Sequence, residues 1–427
     1  MTTLLAELKE REMIHDVSNF EELEKHLEEA PRVVYCGFDP TADSLHIGHL
    51  VPLLMLRYFQ KRGHTPIAIV GSATGMIGDP SFKSEERKLL DAETIAKNCI
   101  GLEEVIGRFL SKDGPNGYIM LRNDTWFRPI NCLDFLRDIG KHFSVNAMIA
   151  KESVRARLEE REQGISYTEF SYMLLQSYDY YHLNEKYSCT VQIGGSDQWG
   201  NITSGIDLIR RKSKGEINVH AVSFPLITTF GGQKFGKSEG NAVWLSKRKL
   251  SPYEFYQFWI NVADDDIKHM LTVFTDLPLS EISTVIETWL KKPEERLAQK
   301  TLARIMTTMA HGEEETQKAI KASEVLFGGS MAGLNSETLL SIFKAVPATA
   351  VSEEQVSAGI GVLDLLTITQ LANSKGAAKR LVEGGGVYIN NEKCSDAGEK
   401  VTAERFVDKK VLVLRSGKRN YHLLTIS

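Results

Sequence analysis

"RVVYCGFDPTADSLHIGHLVPLLMLRYFQKRGHTPIAIVGSATGMIGDPS", Arg32 to Ser81, decides the fold class. A short β-rich run ends at Asp39-Pro40. A helical pattern from Gly48 to Arg62 follows, and a second apolar run, Pro66–Val70, opens into a loop with glycines at 71, 75 and 78. Strand, helix, strand and glycine-rich loop begin a parallel α/β unit, in which ligands bind at the carboxyl ends of the strands. Further units follow: a strand near Tyr118–Leu121, helices over Lys151–Gln163 and Glu169–Leu183, then "CTVQIGGSDQWG" (Cys189–Gly200) feeding a helix from about Asn201.

This α/β region is expected to be a Rossmann-like, parallel-sheet domain over residues 1–225. Beyond it, "TTFGGQKFGKSEGNAVW" (Thr228–Trp244) has four glycines and no apolar periodicity, so 226–250 reads as a mobile loop and linker. Residues 251–328 read as an all-α domain, opened by a serine cap before Pro252. Residues 329–357, rich in Ser, Ala, Gly and Glu, read as a linker. Residues 358–427 read as a small α+β module.

The whole chain, 427 residues long, is 42% hydrophobic and 25% charged, as ordinary soluble proteins are. No apolar run approaches the roughly 20 residues needed to span a bilayer. The acidic start "MTTLLAELKEREMIHD" carries no cleavage signal and suggests a cytoplasmic protein. Five cysteines, odd in number and never in a C-x-x-C pair, argue for reduced thiols and against zinc. A net charge of −5 does not advertise nucleic-acid binding, so any RNA contact must come from local basic patches.

His46 and His49 stand three apart with Gly48 between them. No third metal ligand is adjacent, so a metal is disfavoured. Two buried, backbone-satisfied histidines remain open. So do two N–H donors near a positive helix terminus, facing phosphate, with Gly48 permitting close approach. "KFGKS" (Lys234–Ser238) adds two ammonium groups and a hydroxyl on glycine-hinged backbone, as a polyphosphate clamp requires. It is not a P-loop, because G-x-x-x-x-G-K-[ST] is absent.

H-x-G-H after the first strand and K-F-G-K-S after the last together resemble the class I aminoacyl-tRNA synthetases. "YCGFDPTADSLHIGHL", "GDPSFKSEERK", "FSYMLLQSYDY" and "VQIGGSDQWGNITSGIDLIRR" are similar to the tyrosine-specific, bacterial-type branch. Tyr172, Gln176 and Asp179 fall at i, i+4 and i+7, so one helical face presents three polar groups. The resemblance implies that Tyr35 and Asp179 bind a tyrosine phenol, with Tyr172, Gln176 and Asp79 at its ammonium and Gln192 nearby. It implies an ATP and adenylate site of Gly37, Asp39, Gly48, Gly195, Asp197 and Gln198. Thr41, His46 and His49 would meet the phosphates; Lys83, Arg87, Lys234, Lys237 and Ser238 would hold the pyrophosphate.

A site built for a hydroxyl rejects phenylalanine, because its buried polar groups would go unpaired. The sister tryptophan enzyme fits less well, since an indole gives Tyr35 and Asp179 no phenol to bind. A non-catalytic RNA-binding relative is disfavoured by the intact charges of both signatures. ATP, with Mg2+, is implied as a substrate, and no tightly bound cofactor or metal centre is.

The last seventy residues resemble the S4 RNA-binding module. They imply tRNA contacts at Ser374, Lys375, Lys379 and Arg380, and at Lys418 and Arg419. Arg210 and Arg211 are further candidates, for the tRNA acceptor end, and 251–328 would face the anticodon stem. The resemblance also implies tRNA(Tyr) as partner and a homodimer built on an insertion around Trp126–Tyr167, with neither membrane nor DNA involved.

Overall fold

The structure is a computed structural model describing residues 2–79, 90–151, 154–155, 158, 164–228, 237–238, 241–325, 329–344, 346–417 and 420–427. It divides into two compact units. The first comprises Met1–Lys249 with Val262–Ala298, and the second Leu250–Asn261 with Gln299–Ser427.

The first unit is built on five strands: β1 (Val33–Phe38), β2 (Thr65–Val70), β3 (Ile119–Arg122), β4 (Cys189–Gly195) and β5 (His220–Phe224). Their order is β3-β2-β1-β4-β5 and every pairing is parallel. The chain winds outward from β1 in one direction, then returns to its other side. That reversal leaves a crevice beyond the carboxyl ends of β1 and β4, where such sheets bind ligands. Parallel strands covered on both faces must be apolar throughout, and β2 and β5 are buried almost end to end.

Four helices matter for the site: α1 (Leu50–Lys61), α2 (Ala92–Phe109), α3 (Tyr167–Tyr187) and α4 (Trp199–Lys212). α1 is buried over most of its length, and its Pro52 sits in the first turn, where no intrahelical N–H bond is lost. α3 starts at Ser166, whose hydroxyl accepts the Glu169 N–H, and stops at Ser188, in the left-handed conformation at φ 53°. Its polar face turns to the crevice, while Tyr180 and Leu183 join Tyr35, Ile67, Ile69 and Trp126 in a core cluster. The helical reading of Lys151–Gln163 lies largely outside the described residues.

The helices of 251–328 are shared between the units. Pro252–Ile260 clusters with the C-terminal residues, whereas Val262–Ala298 clusters with the first unit. There the Tyr58 hydroxyl donates to the Thr275 carbonyl at 2.9 Å, and Arg57 meets Asp276 at 3.3 Å. Arg11, 1% exposed, donates to the carbonyls of Thr272, Thr275 and Leu277.

In the second unit a mixed sheet runs in the order Glu392–Lys393, Val387–Ile389, Val411–Ser416, Asn420–Ile426, Ala348–Val351, antiparallel except for the last pair. The stretch 329–357 therefore differs from a linker: it contains helix Ser336–Ile342, that edge strand and helix Glu353–Ala358. Leu339, Phe343, Val351 and Val356 are buried in the unit's cores, and this burial outweighs a composition that resembles a tether. Among the described residues no helix is long and apolar enough to cross a membrane.

Candidate active site

A cavity of about 260 Å³ opens beyond β1 and β4, near the lower end of the ~300–1,000 Å³ range of small-molecule sites. β1 contributes Tyr35, Gly37 and, just past its end, Asp39; β4 contributes Gln192 and Gly195. α3 contributes Tyr172, Gln176 and Asp179 from one face, as their spacing requires. Thr41, Gly48, His49, Asp79, Asp197 and Gln198 complete the predicted residues on its wall.

At the deep end lies Asp179, 5% exposed. Its Oδ1 accepts the Trp126 indole N–H at 2.8 Å and its Oδ2 accepts an Asn123 amide N–H at 3.1 Å. Burial pushes its carboxyl up to about 8, against the pull of those two donors and with a smaller push from Asp39. The Tyr35 hydroxyl is also buried, among described residues without a hydrogen-bond partner. Burial, then the charge of Asp179, raises its pKa well above the usual tyrosine value, so it stays an O–H. A buried acid and an orphaned buried hydroxyl form an environment suited to a ligand hydroxyl, because an unmade buried hydrogen bond is costly.

Toward the mouth the groups are acceptors. The Tyr172 hydroxyl donates to Asp39 Oδ2 at 2.8 Å, and Thr74 donates to Asp39 Oδ1 at 2.9 Å. Gln198 donates to Asp79 Oδ2 at 2.6 Å. The Gln192 carbonyl oxygen is buried and, among described residues, unpartnered. A Cβ on Gly71 would stand 2.1 Å from Asp39 Oδ1, so only glycine leaves that carboxylate in place. A Cβ on Gly37 would meet no atom of the chain within 4 Å and would project into open space.

The histidines occupy a 3-10 turn, Ile47–His49, immediately before α1. His46 caps the turn from just before it, and the two rings lie with centroids 4.2 Å apart, tilted 54° to each other. His46 Nδ1 accepts the Gly48 N–H at 3.1 Å and His49 Nδ1 accepts the His46 N–H at 3.3 Å. Loss of water, then the neighbouring His46, pulls His49 down to about 3, so it is neutral with its proton on Nε2. Of the pair, His49 lines the cavity wall. The strand after the second signature is tied to this turn. Ile47 N donates to the Val243 carbonyl, Leu245 N donates to the Leu45 carbonyl, and the Trp244 ring meets His46 edge-on at 6.0 Å.

Lys83, Arg87 and Lys234 lie outside the described residues. Lys237–Ser238 form a two-residue strand paired with Asn241–Ala242.

A family model described as tRNA synthetases class I (W and Y) matches residues 27–328. Another, described as Tyrosine--tRNA ligase SYY-like C-terminal domain, matches residues 338–424. The tyrosine--tRNA ligase of Opitutus terrae is 48% identical over 427 residues, covering 99% of this chain and 100% of that protein. That of Roseiflexus castenholzii is 46% identical, covering 100% of both. The chain belongs to the tyrosine--tRNA ligase family. The crystal structure of a C-terminally truncated Aspergillus nidulans mitochondrial tyrosyl-tRNA synthetase is also similar, with TM-score 0.70 and 29% identity over 77% of this chain and 95% of that one. Enzymes of this family activate an amino acid with ATP and charge tRNA with it.

The residues expected to meet tRNA are more scattered. Arg210 and Arg211 end α4, and the Arg211 guanidinium donates to the His142 carbonyl. In the second unit the Ser374 hydroxyl caps helix Lys375–Glu383, Lys375 pairs with Asp364, and Lys379 lies 3.8 Å from Glu383. Arg380 is exposed on that helix. Lys418 and Arg419 lie outside the described residues.

Four polar residues of the site escaped the sequence reading: Thr74, Asn123, Trp126 and Asn201. Trp126, where the dimer insertion is expected to begin, is 7% exposed and points at Asp179. The available signal was position: Asn123 and Trp126 follow β3 directly, and Asn201 lies just past β4.

Proposed function

We propose that this chain joins L-tyrosine to the 3′ end of tRNA(Tyr) through a tyrosyl-adenylate made in the cavity beyond β1 and β4. The reading rests on one observation: a buried Asp179 carboxyl and the orphaned Tyr35 hydroxyl share the deep end. The substrate phenol donates to Asp179 and accepts from Tyr35. Asp79, Tyr172 and Gln176 surround the α-ammonium, with Gln192 near the carboxylate. Gly37, Asp39, Gly48, Gly195, Asp197 and Gln198 take the ribose and adenylate.

The tyrosine carboxylate then attacks the α-phosphorus of ATP, one C–O–P linkage forms, and pyrophosphate leaves with the broken bond's electrons. No general base is required, since the nucleophile is already an anion. The work is positioning and charge stabilisation. Thr41, His46 and His49 donate to the phosphates as the α-phosphorus is attacked. Lys83, Arg87, Lys234, Lys237 and Ser238 balance the charge of the departing pyrophosphate. Mg2+ arrives on the ATP phosphates as part of the substrate, the usual state of a hard cation with few protein ligands. A terminal tRNA hydroxyl then attacks the tyrosyl carbonyl and AMP leaves.

The enzyme acts as a cytoplasmic homodimer. Among the described residues, six of the thirteen exposed large apolar side chains fall within 126–167, Leu133 at 75% and Val145 at 57% among them. Such an apolar concentration marks an interface. Arg210, Arg211, Ser374, Lys375, Lys379, Arg380, Lys418 and Arg419 meet the tRNA backbone, so charging weakens as salt rises.

ATP–pyrophosphate exchange with each of the twenty amino acids tests the reading. Exchange should depend on tyrosine alone. Exchange driven by tryptophan, or none with any amino acid, removes it.

A further inference from the structure

The geometry points to Asn201 as the residue that sets which end of the Gln176 amide faces the substrate. Asn201 lies in the first turn of α4 and is 3% exposed. Its amide N–H group donates to the side-chain carbonyl oxygens of Gln176 at 2.9 Å and Gln198 at 3.3 Å. Gln198 in turn gives its own N–H to Asp79 Oδ2 at 2.6 Å.

An amide side chain can sit either way round at nearly equal cost unless its neighbours distinguish oxygen from nitrogen. The Asp79 carboxylate, which can only accept, orients Gln198; the Gln198 oxygen orients Asn201, and Asn201 in turn distinguishes the two ends of Gln176. Turned over, either glutamine would set N–H against N–H, an unsatisfied and repulsive contact in a buried place. Gln176 therefore keeps its oxygen beside Asn201, where one lone pair takes the Asn201 proton and the other remains for a cation. Gln198 keeps its N–H group on Asp79 and so holds that carboxylate at the same site. One buried amide thus keeps the Gln176 oxygen turned outward as a second acceptor in the cavity that the Asp79 carboxylate also lines. A ligand ammonium requires that arrangement, and a ligand carboxylate would be repelled by it. Asn201 is a positioning residue for the α-ammonium of tyrosine. This conclusion rests on the assignment of the cavity to tyrosine.

Two variants of the full chain test it by calorimetric titration with L-tyrosine and with 3-(4-hydroxyphenyl)propionate, which is tyrosine without its ammonium. Asn201→Leu removes both hydrogen bonds and should weaken tyrosine roughly tenfold while leaving the deaminated ligand unchanged. Equal weakening of the two ligands, or undiminished tyrosine binding, overturns the proposal. Asn201→Asp keeps the shape, and hence the fold, but exchanges the donor for acceptors. Tyrosine should bind more weakly even though a negative charge has been added near its ammonium; unchanged or tighter binding also overturns the proposal. Asp179→Asn is measured alongside. If tyrosine affinity survives in that variant, the tyrosine assignment itself fails, independently of Asn201.

Discussion

The Trp126 indole N–H donates to Asp179 Oδ1 at 2.8 Å, across 53 residues of sequence. The contact holds a buried carboxyl in place from outside the cavity. It also favours the charged form of an acid that burial, against this pull, still holds at about 8. Trp126→Phe keeps the packing and removes the donor. The Asp179 pKa should rise further, and KM for tyrosine should increase roughly tenfold, since leaving a buried acceptor unpaired costs about 1–3 kcal/mol. KM for ATP should not move. Pyrophosphate exchange with each substrate varied in turn decides it; a parallel change in both constants would mean general disruption.

Gly37 sits in β1 with open space where a side chain would begin. Alanine relieves the conformational freedom that glycine brings to a strand, so Gly37→Ala should melt no lower than the parent. Gly37→Val should fold as well but occupy the cavity, lowering kcat/KM for ATP at least tenfold by steric exclusion. Full exchange activity in the valine variant would show that no ligand comes close to this backbone.

Periodicity and local motif account for what could be read in the amino-acid order. Tyr172, Gln176 and Asp179 share a helical face, so spacing alone brought them together, and the two glycine-linked signatures pointed to the proposed phosphate site. Asn123, Trp126 and Asn201 were invisible for the opposite reason. Each acts through a side chain that is distant in sequence or otherwise unremarkable, and no local period records such a partner. The stretch 329–357 misled differently. Its small and polar residues dilute the apolar positions, yet Leu339, Phe343, Val351 and Val356 are enough to anchor it to a core.

His26, His49 and His64 share a lowered pKa, chiefly because burial disfavours the imidazolium: about 4, 3 and 4. Their folded values lie below the unfolded value of about 6.5, so the unfolded chain binds these protons first as pH falls. The stability they contribute is complete above about 6.5 and declines toward pH 4. His64 Nδ1 accepts the Arg32 N–H at 3.1 Å, a role a glutamine oxygen can take over. The melting temperature should drop between pH 6.5 and 4.5, and His64→Gln should make that drop shallower. Superimposable profiles for parent and variant would rule out His64 as a contributor.

His46 and His49 spend their Nδ1 atoms on backbone N–H groups of their own turn, which places the ring proton of a neutral imidazole on Nε2. His49, held near 3, is neutral at any pH at which the enzyme works. A neutral donor adds little to the binding of ATP whose charge Mg2+ has already partly offset. It contributes more when charge grows on the phosphoryl oxygens during attack. His49→Ala should therefore cut kcat for adenylate formation roughly 10²-fold, the scale of losing one preorganised donor, with KM for ATP nearly unchanged. The pH–rate profile of the parent should show no inflection from His49 between pH 5 and 7. Trp244→Ala, which removes the edge against His46, should lower kcat in the same sense but by less. Stopped-flow measurement of adenylate formation at varied ATP separates the two constants. A rise in KM equal to the fall in kcat/KM would place both histidines in ground-state binding instead.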